Sequence, residues 1–255
     1  MKKLETYKTL ATQFYEYEKI TQDASDEIAF YDAYAHSAGG PILEPMCGSG
    51  RILLPLLQRG YAIEGFDASE AMLAVLRQKY AMITSAPAPV WQQYLQDFVA
   101  QKQYALIIIP FGSFGLILER EHALQSLHAL RAALAPGGIL LLEIDTRHSV
   151  TSSDRGLRMR LVQCDDGSLI RLQAHISYND QSQIYQSLSL YERLRHGVIV
   201  ESEREQFRQY IYADAEFELL LARAGFTQVI RYSLQEGRTI ESAQAPQYLY
   251  ECMCE

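Results

Sequence analysis

The sequence predicts an α/β fold built on a mostly parallel sheet. From about residue 41 onward, short apolar runs alternate with amphipathic helical stretches, the pattern of repeated βαβ units. One of those runs, residues 104–110, is apolar almost throughout, as a strand covered on both faces must be. A third observation adds an insert. Between residues 151 and 212 the alternation stops and a period of two takes over, which predicts a small antiparallel sheet.

The elements follow in order. Residues 1–38 read as a tyrosine-rich helical cap. Its second half starts at Ala24-Ser25-Asp26-Glu27, places Ile28, Phe30, Tyr31 and Tyr34 on neighbouring turns, and stops at Gly39-Gly40. The first strand is expected over 41–45. The turn Cys47-Gly48-Ser49-Gly50 leads from it into a helix over 51–58. A second strand, 62–66, precedes a helix that begins near Ser69 and carries Met72, Leu73, Leu76 and Tyr80 on one face. A third strand is expected over 90–94 and a fourth over 104–110. Leu124, Leu127, Leu130 and Leu134 then share a helix face, and Pro136-Gly137-Gly138 makes a sharp turn into a fifth strand, 139–144.

In the insert, Ile170, Leu172, Ala174 and Ile176 alternate with Arg171, Gln173, His175 and Ser177. Turn signals stand at Asp165-Asp166-Gly167, Asn179-Asp180 and His196-Gly197. A helix with Phe217, Leu220, Leu221 and Ala224 on one side ends at Gly225. Two last strands, 226–233 and 246–252, are expected to pair. The whole chain reads as one domain of 255 residues, with residues 151–212 as a lid or substrate region.

Composition narrows the function. With 48% apolar and 21% charged residues the chain is that of a soluble globular protein. Its net charge of -8, with Arg155, Arg158 and Arg160 as the longest basic cluster, argues against a duplex nucleic acid as partner. Cys47, Cys164, Cys252 and Cys254 form no C-x-x-C pair, so no metal site is expected. The charged start Met1-Lys2-Lys3-Leu4-Glu5 has no apolar segment behind it, and no run spans a bilayer; a cytoplasmic protein without a membrane partner is expected.

The chemistry concentrates at the strand ends. In Glu44-Pro45-Met46-Cys47-Gly48-Ser49-Gly50-Arg51, glycines permit a tight turn, and the helix beyond offers free N–H groups to an anionic group. A dinucleotide loop needs a third glycine, where this chain has Leu53, so a nicotinamide-dependent oxidoreductase is the weaker reading. Asp67, in Gly65-Phe66-Asp67-Ala68-Ser69, ends the second strand, where a carboxylate accepts bonds from ribose hydroxyls. Asp97 in Leu95-Gln96-Asp97-Phe98 follows the third strand, and Pro110-Phe111-Gly112-Ser113-Phe114-Gly115 follows the fourth.

In the order and spacing of these motifs the chain resembles the class I S-adenosylmethionine-dependent methyltransferases. With its antiparallel insert it is similar to the small-molecule N-methyltransferases that act on glycine, sarcosine or amino sugars. The resemblance implies a Rossmann-like sheet of seven strands, the last antiparallel, with helices on both faces. It also implies S-adenosylmethionine as cofactor and S-adenosylhomocysteine as product. The cleft it implies is formed by Tyr15, Glu44, Met46, Gly48, Gly50, Arg51, Asp67, Ala68, Met72, Gln96, Asp97, Phe98 and Pro110. Phe111, Ser113 and Phe114 would meet the acceptor, and Tyr15 and His148 are the catalytic candidates, with Asp145 and His175 also near the expected mouth. Arg51 and Arg147 are candidates to hold a carboxylate.

The segment after the fourth strand lacks the Asn/Asp-Pro-Pro-aromatic motif with which resembling enzymes hold a planar base or glutamine amide nitrogen, which argues against adenine or cytosine methylation. Small-molecule amine methylation is the leading reading, with a homodimer contact as another role for the insert. A cofactor-binding protein without catalysis and a protein or RNA methyltransferase are the alternatives.

Overall fold

The structure is a computed structural model, and it describes residues 6–19, 24–150, 155–235, 238–240 and 245–253. Met1–Glu5, the first four residues of the expected insert and Cys254 lie outside the described residues.

The chain opens with two helices, α1 (Thr9–Lys19) and α2 (Ser25–Ala38), the second closed by Gly39 in a left-handed conformation. Alternating elements follow: β1 (Ile42–Pro45), α3 (Leu53–Gln58), β2 (Ile63–Asp67), α4 (Glu70–Ala81), β3 (Val90–Gln92), β4 (Tyr104–Ile109), α5 (Arg120–Ala133) and β5 (Leu134–Asp145). Ser69 caps α4, its hydroxyl accepting from the N–H of Met72. The insert is β6 (Gly156–Gln163), β7 (Leu169–Asn179), β8 (Ile184–Arg195) and β9 (Val198–Tyr210). Then come α6 (Asp214–Arg223), β10 (Gln228–Gln235), β11 (Arg238–Ile240) and β12 (Gln247–Met253).

The main sheet has the order β11-β10-β12-β5-β4-β1-β2-β3. Strands β1 to β5 run parallel, and β12 is antiparallel to both β5 and β10. The expected seven strands are therefore present with the last one reversed. The three-residue β11, which the sequence reading omits, extends the edge as a hairpin with β10.

Two expectations about boundaries change. The third strand ends at Gln92, because Leu95–Asp97 form a single 3-10 turn. Leu134 belongs to β5 and not to the preceding helix: it pairs with Tyr104, and the next register pair is Ile139 with Leu106. Pro136-Gly137-Gly138 is thus a bulge inside a strand, with Gly137 at φ +73°, where a free turn was expected.

Side chains alternate across the sheet and build a core on each face. Leu43, Ile107, Ile109, Leu140, Leu142 and Ile144 face α5 and α6. Ile42, Leu106, Ile108 and Leu141 face α2 and α3. Glu44 and Glu143 share the parity of this second set, so two carboxylates end strands on the α2 side. A third, smaller core joins α1 to the four-stranded sheet through Leu10, Phe14, Ile170 and Tyr191. No helix among the described residues is long and apolar enough to cross a membrane.

Candidate active site

A cavity of about 830 Å³ opens above the C-terminal ends of β1, β2, β4 and β5, the place where open α/β sheets bind ligands. Its floor on one side is the Gly-rich turn. There the N–H of Gly48 donates to Asp67 Oδ2 at 2.8 Å and the N–H of Ser69 donates to Asp67 Oδ1 at 2.7 Å. These donors oppose the upward push of burial on the Asp67 carboxyl, and burial wins.

Glu44 stands next to Asp67 and is 2% exposed. Its Oε2 has no hydrogen-bond partner, and burial together with the charge of Asp67 raises its carboxyl well above the usual range. Leaving a buried carboxyl oxygen unpaired costs roughly 1–3 kcal/mol, more when charged, so this oxygen is open to a hydrogen-bond donor. An ammonium group such as that of a methionine moiety fits this oxygen.

The N-terminal cap roofs the cavity. Ser69 Oγ donates to the carbonyl of Tyr7 at 2.6 Å, and Lys79 of α4 pairs with Glu16 of α1. Arg51 donates to Glu27 at 2.6 Å and its guanidinium lies 4.6 Å from the centre of the Phe111 ring. Tyr15, beside Arg51, has its phenol pushed up by burial, with Arg51 pulling the other way.

The far wall is the loop after β4. Phe111 takes φ +59°, an uncommon conformation for a ring-bearing residue, and its N–H donates to Glu143 Oε2 at 2.8 Å. Glu143 Oε1 accepts from the Tyr31 hydroxyl. Burial outweighs both donors and pushes the Glu143 carboxyl up to about 7. Strand β9 closes this side. Gln206 and Arg208 border the cavity, and Gln209 Nε2 donates to the carbonyl of Gly112 at 3.1 Å and to Asp145 at 2.5 Å.

Twelve expected residues line the cavity. Tyr15, Glu44, Met46, Gly48, Arg51 and Asp67 surround the Gly-rich turn, and Ala68, Met72, Gln96, Pro110, Phe111 and Ser113 complete the walls. Five do not. Gly50, at φ +84°, packs where an added Cβ would meet Leu54 Cγ at 2.8 Å, so it permits helix packing. The 3-10 turn at Leu95–Asp97 points Asp97 to solvent and buries Phe98 against Phe66, with ring centres 4.9 Å apart; Tyr94 and Leu95 line the cavity instead. Phe114 is fully buried beside Tyr212 and Phe217.

His148 lies exposed on a turn after β5, outside the cavity. Arg147 beside it and His175 on β7 are likewise exposed away from it. Asp145 is held by two amides, Gln209 and Gln247, and does not face the cavity.

Tyr7, Glu27, Tyr94, His122, Glu143 and Gln206 also border the cavity, beyond the residues that the motifs predict. Glu143 carried a usable signal: a lone carboxylate in the apolar run Leu140-Leu141-Leu142-Glu143-Ile144 must be buried for a reason. Tyr7 and Gln206 had none, because only the tertiary packing of the cap and insert brings them there.

Comparison with known proteins agrees with this geometry. Residues 42–138 match the model of a methyltransferase domain. YqeM of Bacillus subtilis, named as a methyltransferase, is 23% identical over 213 residues, covering 83% of each chain. A S-adenosylmethionine-dependent methyltransferase from Clostridium acetobutylicum superposes with a TM-score of 0.76 at 14% identity, over 94% of this chain and 97% of that one. The sugar N-methyltransferase KedS8 from Streptoalloteichus superposes with a TM-score of 0.73 at 16% identity, over 93% and 91%.

The fold, the strand-end cavity and the matched domain define a methyl-transferring enzyme. Residues 42–138 form a methyltransferase domain, and the enzyme is an S-adenosylmethionine-dependent methyltransferase, with S-adenosylmethionine as donor and S-adenosylhomocysteine as product.

Proposed function

We propose that the enzyme methylates an amine nitrogen of a small molecule. The observation that carries this reading is the charge of the cavity. Glu27, Glu44, Asp67, Glu119 and Glu143 border it against Lys19, Arg51 and Arg208, so carboxyl groups outnumber cations around a space of small-molecule size. Such a space favours a cationic donor and an acceptor that arrives as an ammonium ion. The sugar N-methyltransferase among the similar folds points the same way.

The residues divide by place. Glu44 would meet the ammonium of the cofactor's methionine part, Asp67 its ribose hydroxyls, and Ala68, Met72, Tyr94, Leu95 and Gln96 its base. Phe111, Ser113, His122 and Gln206 would surround the acceptor, with Tyr15 roofing the junction between the two halves. The cofactor supplies a methyl group already activated on a sulfonium, so the protein's task is alignment and exclusion of water. The cap and β9 perform both by covering the cavity from two sides. The four-stranded sheet is thus read as the wall of the acceptor half.

Isothermal titration with S-adenosylmethionine, S-adenosylhomocysteine and NAD, followed by a turnover screen of small amines, alcohols and carboxylic acids, tests the reading. Micromolar binding of the first two, none of NAD, and methylation confined to amines is the expected result. Methylation confined to hydroxyl or carboxyl acceptors would overturn the acceptor assignment.

A further inference from the structure

We propose that Glu143 receives the proton that the acceptor amine sheds before it is methylated. The role rests on the acceptor being an amine. An ammonium nitrogen has no free lone pair, so a proton must leave before a bond to carbon can form. The group that takes it must face the cavity, keep a free lone pair and lie in the acceptor half.

The cavity carboxylates sort by these conditions. Asp67 and Glu44 end the adjacent strands β2 and β1, beside the Gly-rich turn. Glu27 is engaged by Arg51, and Glu119 is exposed at the rim. Glu143 lies on β5, two strands from β1 in the order β5-β4-β1, roughly 10 Å away at ordinary strand spacing. It adjoins the loop that carries Phe111 and Ser113. Tyr31 donates to one of its oxygens and Phe111 to the other, so each oxygen keeps a lone pair.

Its surroundings set its proton affinity. Glu27 and Tyr31 face it from α2 and Asp145 acts from its own strand. Its ladder partner on β12, Leu249, is apolar, and the nearby Arg51 is committed to Glu27. Burial and the two acidic neighbours hold the carboxyl near neutrality against its two donors, so it can both accept and release a proton at working pH.

The N–H bond of the ammonium breaks and its proton passes to an oxygen of Glu143. The freed nitrogen pair forms the C–N bond as the C–S bond of the donor breaks, its pair staying on sulfur. The carboxyl then returns its proton to solvent.

Carboxyl carbon NMR of glutamate-labelled enzyme, assigned by difference against Glu143→Gln, reads the group without turnover. Its signal is expected to titrate near neutral pH, and titration near 4 would overturn the proposal. With two acceptor amines of different basicity, kcat/KM should show one shared inflection that Glu143→Gln removes. That variant should lose about a hundredfold in kcat while binding S-adenosylmethionine within twofold of wild type. Tyr31→Phe, lacking one donor, should move the inflection to higher pH. A Glu143→Gln enzyme with wild-type kcat and pH profile would overturn the proposal, as would loss of the inflection in His122→Gln alone. If the wild type binds S-adenosylmethionine yet methylates no amine, the acceptor reading falls and this role with it.

Discussion

Two neighbouring carboxylates, Glu44 and Asp67, look alike in the sequence and differ in what the fold does with them. Asp67 is braced by two backbone N–H groups and organises the turn before any ligand arrives. Glu44 keeps one oxygen buried and unpaired, a cost that only a bound donor removes. Because glutamine carries no ionisable group into that buried place beside Asp67, Glu44→Gln should raise the stability of the ligand-free enzyme at neutral pH by about 1–3 kcal/mol and weaken S-adenosylmethionine binding by a similar amount. Thermal melting with and without ligand checks both halves; a variant that melts lower while binding normally would contradict the account. Asp67→Ala should weaken binding by on the order of 1.5–3 kcal/mol, since it removes a charged acceptor for hydroxyls and unpins Gly48. Titration calorimetry measures it, and unchanged affinity would remove Asp67 from the site.

At the scale of elements, the strands were legible wherever burial on both faces forced an unbroken apolar run, as in residues 104–110, and wherever a turn signal bounded them. The four insert strands were legible by their three turns, since Asp165-Asp166-Gly167 and His196-Gly197 fall between strands and Asn179-Asp180 marks the end of β7. What misled was local structure without periodicity. A single 3-10 turn shifted the cavity wall from Asp97 and Phe98 to Tyr94 and Leu95, and no pattern in the sequence announces such a turn. His148 follows the end of the fifth strand as expected, but the turn that carries it is exposed and lies outside the cavity.

The loop after β4 also joins the two sheets, which sequence spacing could not reveal. Gly112 takes φ +65°, and an added Cβ would sit 2.4 Å from Asp145 Oδ2. Its carbonyl holds Gln209 of β9. Gly112→Ala should destabilise the enzyme by about 1–2 kcal/mol from backbone conformation alone, with the clash adding to that. It should also displace the β9 wall, cutting acceptor turnover at least tenfold while S-adenosylmethionine binding persists. Denaturant melts and separate binding and turnover assays decide it; equal losses of binding and turnover would mean that the loop serves both halves alike.

Across the whole molecule, the buried carboxyls bias stability in one direction. Glu44, Asp67, Glu143, Asp145 and Glu205 all have raised proton affinity, chiefly through burial. A raised carboxyl binds its proton more tightly in the folded state than in the unfolded chain. Its stabilisation is complete below the unfolded value and is lost as pH rises through the folded one. For Glu143 the window runs from the ordinary glutamate value of 4.5 to about 7, and the loss across it is on the order of 3 kcal/mol. The ligand-free enzyme should accordingly melt highest near pH 5 and fall steadily toward pH 8. Glu143→Gln should flatten that slope by its own share, and Glu44→Gln should flatten it further. A bound cationic donor should do the same to the wild type, because positive charge beside Glu44 lowers the cost of its ionised form. Melting temperatures across that range, for the three proteins with and without S-adenosylmethionine, test the argument. A ligand-free melting temperature that rises from pH 5 to pH 8 would mean that the ion pairs of the surface, and not the carboxyls of the cavity, govern how this fold responds to pH.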